Sequence, residues 1–199
     1  MVRSQEILNG IQQVVDSHSS IAVFWHVLFY VLIIALIWKW QPSNRLFWTI
    51  MCLPALSVSI LAWINGNPFN GTLFAILTIL ILISGLLATV QPISNSQFML
   101  NAAGILMVIF GLIYPHFIDI SIIGYLYASP LGLIPCPTLS ILIGFALIFN
   151  APQSLNLIYI VFGLFYGIFG VLRLTVNIDI FLIFGAVTLL VKYILSMIK

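Results

Sequence analysis

From residue 21 onward, apolar stretches of about 17 to 22 residues follow one another with brief polar interruptions, and this is the length an α-helix needs to cross bilayer hydrocarbon. No water-soluble fold accommodates such a pattern. Of the 199 residues, 63% are hydrophobic and 5% charged, whereas a soluble domain carries about 25% charged residues on its surface. Lipid is therefore the solvent for these stretches. In hydrocarbon every backbone N–H and C=O needs an internal partner, which leaves helices or closed barrels. Uninterrupted Ile, Leu and Phe runs lack the alternation of barrel strands. The expected fold class is all-α, a polytopic transmembrane helix bundle.

About seven spans are expected, at residues 21–39, 46–64, 69–90, 98–118, 133–149, 155–174 and 179–198. Breakers separate them: Gln41 to Asn44, Asn65 to Pro68, Gln91 to Ser96, and Asn150 to Pro152, with Arg173, Asn177 and Asp179 at the last break. Residues 19–199 thus form a single transmembrane domain. Ahead of it, residues 1–18 place Ile7, Leu8, Ile11, Val14 and Val15 at helical spacing, with Gln5, Glu6, Gln12, Gln13 and Asp16 around the rest of the wheel. That pattern predicts a short interfacial amphipathic helix; the alternative is a frayed polar tail. No basic segment leads into a cleavable apolar core, so the first span is expected to stay as an anchor.

Basic residues in short loops favour the cytoplasmic side. With the N-terminus outside and the C-terminus in the cytoplasm, Lys39, Arg45, Lys192 and Lys199 fall inside, and Arg3 and Arg173 outside. The acids Glu6, Asp16, Asp119 and Asp179 then all lie outside. Trp25, Trp38, Trp40, Trp48 and Trp63 lie near predicted span ends and are expected to anchor at headgroup level. Gly163, Gly167 and Gly170 provide a face where another backbone can approach closely, chiefly within the bundle.

One segment fits neither loop nor span. Residues 119–132 are too apolar for an aqueous loop and too broken for a helix, so they should lie at the interface or re-enter the bundle. Next comes Leu133-Ile134-Pro135-Cys136-Pro137-Thr138. Pro135 keeps the chain extended before Cys136, and Pro137 suits the first turn of the fifth span. Cys136 at a helix N-terminus is open to two readings: a thiol activated by the helix dipole, or a small residue filling space.

The same outer side gathers most of the polar chemistry: His116, Asp119, Asn65, Asn67, Asn70, Tyr114, Tyr125, Tyr127, Arg173, Asn177 and Asp179, with His26 inside the first span. Ionisable groups at membrane depth usually face a cavity or a partner, so His26 is either part of a site or bonded to a neighbouring helix. Arg173 and Asp179 are candidates for a pair across a tight hairpin. The candidate pocket is thus Cys136, His116, Asp119, His26, Asn65, Asn67, Arg173 and Asp179. Cys136 and His116 offer a thiolate and an imidazole that would suit a soft metal ion, but their spacing matches no ligand motif.

Cys52 and Cys136 suggest no disulfide framework. The net charge of +2 is scattered and marks no nucleic-acid surface. P-loop, GxGxxG, HExxH and GxSxG motifs are missing, and no cofactor is evident.

At Tyr114-Pro115, at Pro130 and above all at Gly132-Leu133-Ile134-Pro135-Cys136-Pro137-Thr138 with Gly144 following, the chain resembles a multi-pass bacterial membrane family, domain of unknown function 6064. Asn65, Asn67 and Phe69 resemble the family's Ile-Asn-Pro segment, and Asp179 its acidic residue opening the final helix; Trp63, Ile64 and Asn65 stand where the family has Tyr-His. The resemblance implies a bacterial inner-membrane protein and carries no activity with it.

Three functions remain: transport or binding of a small solute or ion through an outward-facing polar pocket; a membrane-embedded enzyme using Cys136 as nucleophile with His116 or Asp119 as base; and a scaffold or accessory subunit, homo-oligomeric or with another membrane protein. The first is preferred, because polar residues at lipid depth more often mark pathways than chemistry.

Overall fold

A computed structural model of the chain describes residues 4–117, 121 and 123–198. They form an all-α bundle with several long apolar helices, as a polytopic membrane protein requires. In chain order the elements are α1 (Ser4–Ser17), α2 (Ser19–Ile37), α3 (Asn44–Ile50), α4 (Cys52–Ile64), α5 (Pro68–Leu86), α6 (Phe98–Ile113), α7 (Tyr125–Ala128), α8 (Pro135–Ile148), α9 (Gln153–Ile168) and α10 (Ile180–Ile198). A π-helical turn, Phe169–Arg173, extends α9, and a 3-10 turn, Asn177–Asp179, leads into α10.

Among the described residues, five helical stretches are long and apolar enough to cross a membrane: Ser19–Ile37, Asn44–Ile64, Pro68–Leu86, Gln153–Arg173 and Asn177–Ile198. α6 and α8 are shorter apolar helices. Proline explains three departures from the predicted boundaries. α6 stops at Ile113 rather than continuing to 118, because Pro115 disfavours helical backbone at Tyr114. The span predicted at 46–64 is divided at Met51, because Pro54 has no N–H to give the Ile50 carbonyl. The fifth predicted span begins at Pro135 itself, after an extended Ile134, so both prolines and Cys136 share the first turn of α8.

α8 is the axis of the bundle, touching α4, α6, α9 and α10. Its residues 137–147 are all buried. Its 14 residues rise about 21 Å, and protein rather than lipid surrounds them. The α6–α8 contact brings backbone against backbone: a Cβ on Gly104 would stand 2.6 Å from the Gly144 carbonyl oxygen, and one on Gly144 would stand 2.8 Å from that of Gly104. Ser140 Oγ donates across the same contact to the Met107 carbonyl at 2.7 Å. Gly163 and Gly167 seat α9 against Ile143 of α8 and Ile183 of α10.

The outward faces remain apolar. Val23, Phe24, Val27, Val31, Ile34 and Ile37 of α2 are exposed, as are Ile180, Phe184, Val187, Val191 and Ile194 of α10. Trp38, Trp40 and Trp63 are exposed too, but Trp25 and Trp48 are core residues and not the headgroup anchors expected. Trp25 Nε1 donates to Ser57 Oγ at 3.0 Å, whose hydroxyl donates to the Gly132 carbonyl at 2.7 Å. Trp48 Nε1 donates to Asn44 Oδ1 at 3.3 Å.

The ends of the bundle differ. At one, the loops are stitched together: Asn44 N–H donates to Gln91 O, Ile93 N–H to Pro42 O, Ser96 N–H to Ile148 O and Asn150 N–H to Ser94 O. Lys192 seals this end, donating to Ser96 Oγ at 2.6 Å, Ala146 O at 2.7 Å and Phe149 O at 2.8 Å. Its ammonium thus spends all three hydrogens at the C-terminus of α8, where carbonyls lack helical partners and the dipole favours a cation. The opposite end holds a cavity.

Candidate functional site

Each wall of the cavity follows from local chemistry. α4 closes with Gly66 left-handed (φ +71°), Asn67 N–H reaching Ala62 O at 2.8 Å and Gly66 N–H reaching Trp63 O at 3.2 Å, a glycine stop that satisfies the last carbonyls. Asn67 then caps α5, accepting from Asn70 N–H at 3.1 Å, and Pro68 starts the helix where its missing N–H costs nothing. Asn65 Nδ2 donates to the Leu61 carbonyl at 2.8 Å. This asparagine-rich corner forms one wall.

The opposite wall is the π turn. Its wider loop carries Leu174 N–H to Phe169 O and Val176 N–H to Gly170 O, reversing the chain so that Asp179 lands beside Gly170. A Cβ on Gly170 would stand 2.0 Å from Asp179 Oδ2, so no other residue fits without moving the carboxylate. α1 makes the roof. Ile7, Gly10, Ile11 and Val14 face the cavity, and Gln12 Nε2 ties the helix to the Phe117 carbonyl at 2.8 Å.

The floor carries the chemistry. Asp179 is buried, with Tyr114 donating to Oδ1 at 2.7 Å and the Cys136 thiol to Oδ2 at 3.2 Å. Three distant segments therefore meet on one carboxylate: the end of α6, the first turn of α8 and the residue before α10. Two donors on two oxygens suit an ionised carboxylate, which can only accept, and the adjoining N-terminus of α10 favours negative charge. Nearby, Tyr166 OH donates to Asn70 Oδ1 at 3.0 Å, linking α9 to the asparagine corner. The cavity volume is about 450 Å³, lined by Asn65, Asn67, Cys136, Tyr166 and Asp179 among mainly apolar side chains.

Four of the candidate pocket residues thus share one cavity: Asn65, Asn67, Cys136 and Asp179. His26 lies elsewhere, buried between the carbonyls of Ala22 (Nδ1, 2.8 Å) and Leu112 (Nε2, 2.9 Å), where it ties α2 to the end of α6. His116 is partly buried with its ring against Phe117, and burial pushes its imidazole down from the ordinary value. Neither His116 nor exposed Arg173 is among the cavity-lining residues. Asp119 lies outside the described residues. Among the described residues no group of three or more His, Cys, Asp or Glu is placed to hold a metal ion.

Of the segment expected at the interface or re-entering, 119–132, the described part includes the short α7 and the start of a non-helical run, 129–134, that is entirely buried. Its backbone is satisfied from inside: Gly132 N–H donates to Thr138 Oγ1 at 3.0 Å, and the Gly132 carbonyl accepts from Ser57. Tyr30 of α2 donates to the Leu126 carbonyl.

Sequence reasoning passed over Tyr166, Glu6 and the role of Gly170. Tyr166 was detectable as the polar member of the Gly163, Tyr166, Gly167, Gly170 face, whose period is helical. Fold and site together define a membrane-embedded, all-α protein with a carboxylate-floored cavity at one end. Comparisons with family models, with curated proteins and with solved structures found no match.

Proposed function

We propose that this protein binds a small solute or ion in the cavity and passes it across a bacterial inner membrane. The observation that carries the reading is the buried Asp179 carboxylate, held by Tyr114 and Cys136 and presented to a mainly apolar volume. Burying a charge is costly unless it is paired and used, so its place in a cavity wall favours a ligand. In this reading α2, α3–α4, α5, α6, α8, α9 and α10 are about seven spans, the N-terminus is outside, and the cavity opens outward. The lysine-sealed end is then the cytoplasmic one, and α1 lies in the outer interface as an amphipathic roof. Residues 129–134 are then backbone re-entering at membrane depth, tolerated because protein encloses them.

Proteoliposomes holding the purified chain test this against a panel of labelled ions and small polar solutes. The expected result is that at least one enters faster than into protein-free vesicles, and that Asp179→Asn removes the difference. Entry of the whole panel at the protein-free rate would contradict the reading.

A second reading, a thiol-dependent enzyme, is favoured by one distance: Cys136 Sγ lies 3.2 Å from Asp179 Oδ2, close enough for the carboxylate to take the thiol proton. Cys136→Ser separates the two, since it keeps the hydrogen bond and the cavity but loses thiol chemistry.

A further inference from the structure

We propose that the cavity's occupant is a small organic cation of the alkylammonium class, with Asp179 as its counter-ion. This rests on the solute-binding reading above and narrows it to one substrate class.

Charge argues first. The lining includes Glu6 and Asp179 but no Lys, Arg or His among the described residues. An anion placed here would meet the Asp179 carboxylate and, among the described lining residues, no cation. Hydrogen-bonding capacity points the same way. Tyr166 has committed its hydroxyl hydrogen to Asn70, and Asn65 directs its amide nitrogen to Leu61. Tyr166 keeps oxygen lone pairs, the asparagine amides keep N–H groups on their own wall, and the carboxylate supplies the acceptors of the floor: of about four acceptor sites, Tyr114 and Cys136 occupy two. An acceptor-rich floor calls for a donor or a cation.

The remaining walls select the kind of cation. A metal ion needs several oxygen, nitrogen or sulfur ligands converging on a point, and no such group of His, Cys, Asp or Glu exists among the described residues. Phe69, Phe117, Tyr166 and Phe169 line the cavity instead, with the rings of Phe69 and Phe169 6.2 Å apart. Aromatic faces attract a cation within about 6 Å, and alkyl groups on nitrogen suit apolar walls that would strip the hydration from a bare ion. A volume of about 450 Å³ falls within the roughly 300–1,000 Å³ of small-molecule pockets.

Cys136 reports on the occupant directly. The full chain carrying Cys52→Ala, in lipid nanodiscs, is reacted with three methanethiosulfonates: trimethylammonioethyl (cationic), sulfonatoethyl (anionic) and methyl (neutral), each rate normalised to that with free glutathione. The cationic reagent is expected to modify Cys136 at least tenfold faster than the anionic one. Tetramethylammonium chloride should slow that reaction where sodium chloride at equal strength does not, and Asp179→Asn should bring the reagents to similar rates. Should Asp179→Asn fail to fold, tetramethylammonium protection of the Cys52→Ala chain decides the matter. Equal normalised rates for all three reagents, with no protection, would overturn the cation assignment while leaving an accessible binding cavity. Failure of every reagent to reach Cys136 in the folded chain, when the unfolded chain reacts, would overturn the cavity reading together with it.

Discussion

At the scale of single residues the account turns on Asp179. Its oxygens are shared between a phenol and a thiol, and its neighbour in the π turn, Gly170, has no side chain at all. Gly170→Ala is therefore expected to be costly: the added methyl would stand 2.0 Å from Oδ2, and overpacking of this kind costs about 1–3 kcal/mol. Gly10→Ala is the control, since nothing lies within 4 Å of its Cβ position. Thermal unfolding in detergent should show a lowered midpoint for the first and an unchanged or raised one for the second; equal midpoints would mean the carboxylate is not held where described. Tyr114→Phe removes one donor from a buried carboxylate, a loss of about 1–3 kcal/mol, read as a lower unfolding midpoint. Cys136 and Asp179 were each visible in the sequence, one from flanking prolines and the other as a rare acid in an apolar stretch. Their meeting was not visible, because 43 residues separate them and only tertiary packing closes the distance. Trp25 and Trp48 misled for the converse reason: position near a span end marks an anchor only where the ring faces lipid.

At the scale of elements, α8 decides the architecture, and its burial was legible only in part. Its run of Leu, Ile, Phe and Ala looks like any lipid-facing span, and composition cannot distinguish lipid from protein as the neighbour. What distinguishes it is the small residues of α6 facing it, Gly104 and Gly111, whose role depends on knowing which helices pair. Proline effects were local and therefore easier to place, yet Pro54 and Pro115 each moved a helix boundary. Lys192 shows the same limit of local reading: it served as a marker of sidedness, whereas in the fold its ammonium terminates α8. Lys192→Met should leave the Ala146 and Phe149 carbonyls without this donor. A loss of about 1–3 kcal/mol is expected, measured as earlier proteolysis of the loops at 91–97 and 149–152 along with a lower unfolding midpoint. No change in either would show that the lysine sits at this end without holding it.

At the scale of the whole molecule, one closed end and one end with a cavity suit a protein that admits a solute from a single side. The bundle itself was readable from the apolar runs, since lipid tolerates few alternatives to helices. The cavity was readable only in part: Asn65, Asn67, Cys136 and Asp179 were among the candidates, but its shape is made by α1, the asparagine corner and the π turn acting together. The seven spans proposed above would put the termini in opposite compartments, so paired periplasmic and cytoplasmic reporters fused to the C-terminus should be active only inside the cell. Reporter activity outside would remove the outward-facing assignment. The most direct test of the central claim is an experimental density map of the protein purified from its own membrane in the presence of tetramethylammonium. The account predicts non-protein density in the cavity, in contact with Asp179 and beside Tyr166. A map in which α1 packs down, apolar side chains fill that volume and the carboxylate is sealed away would contradict it.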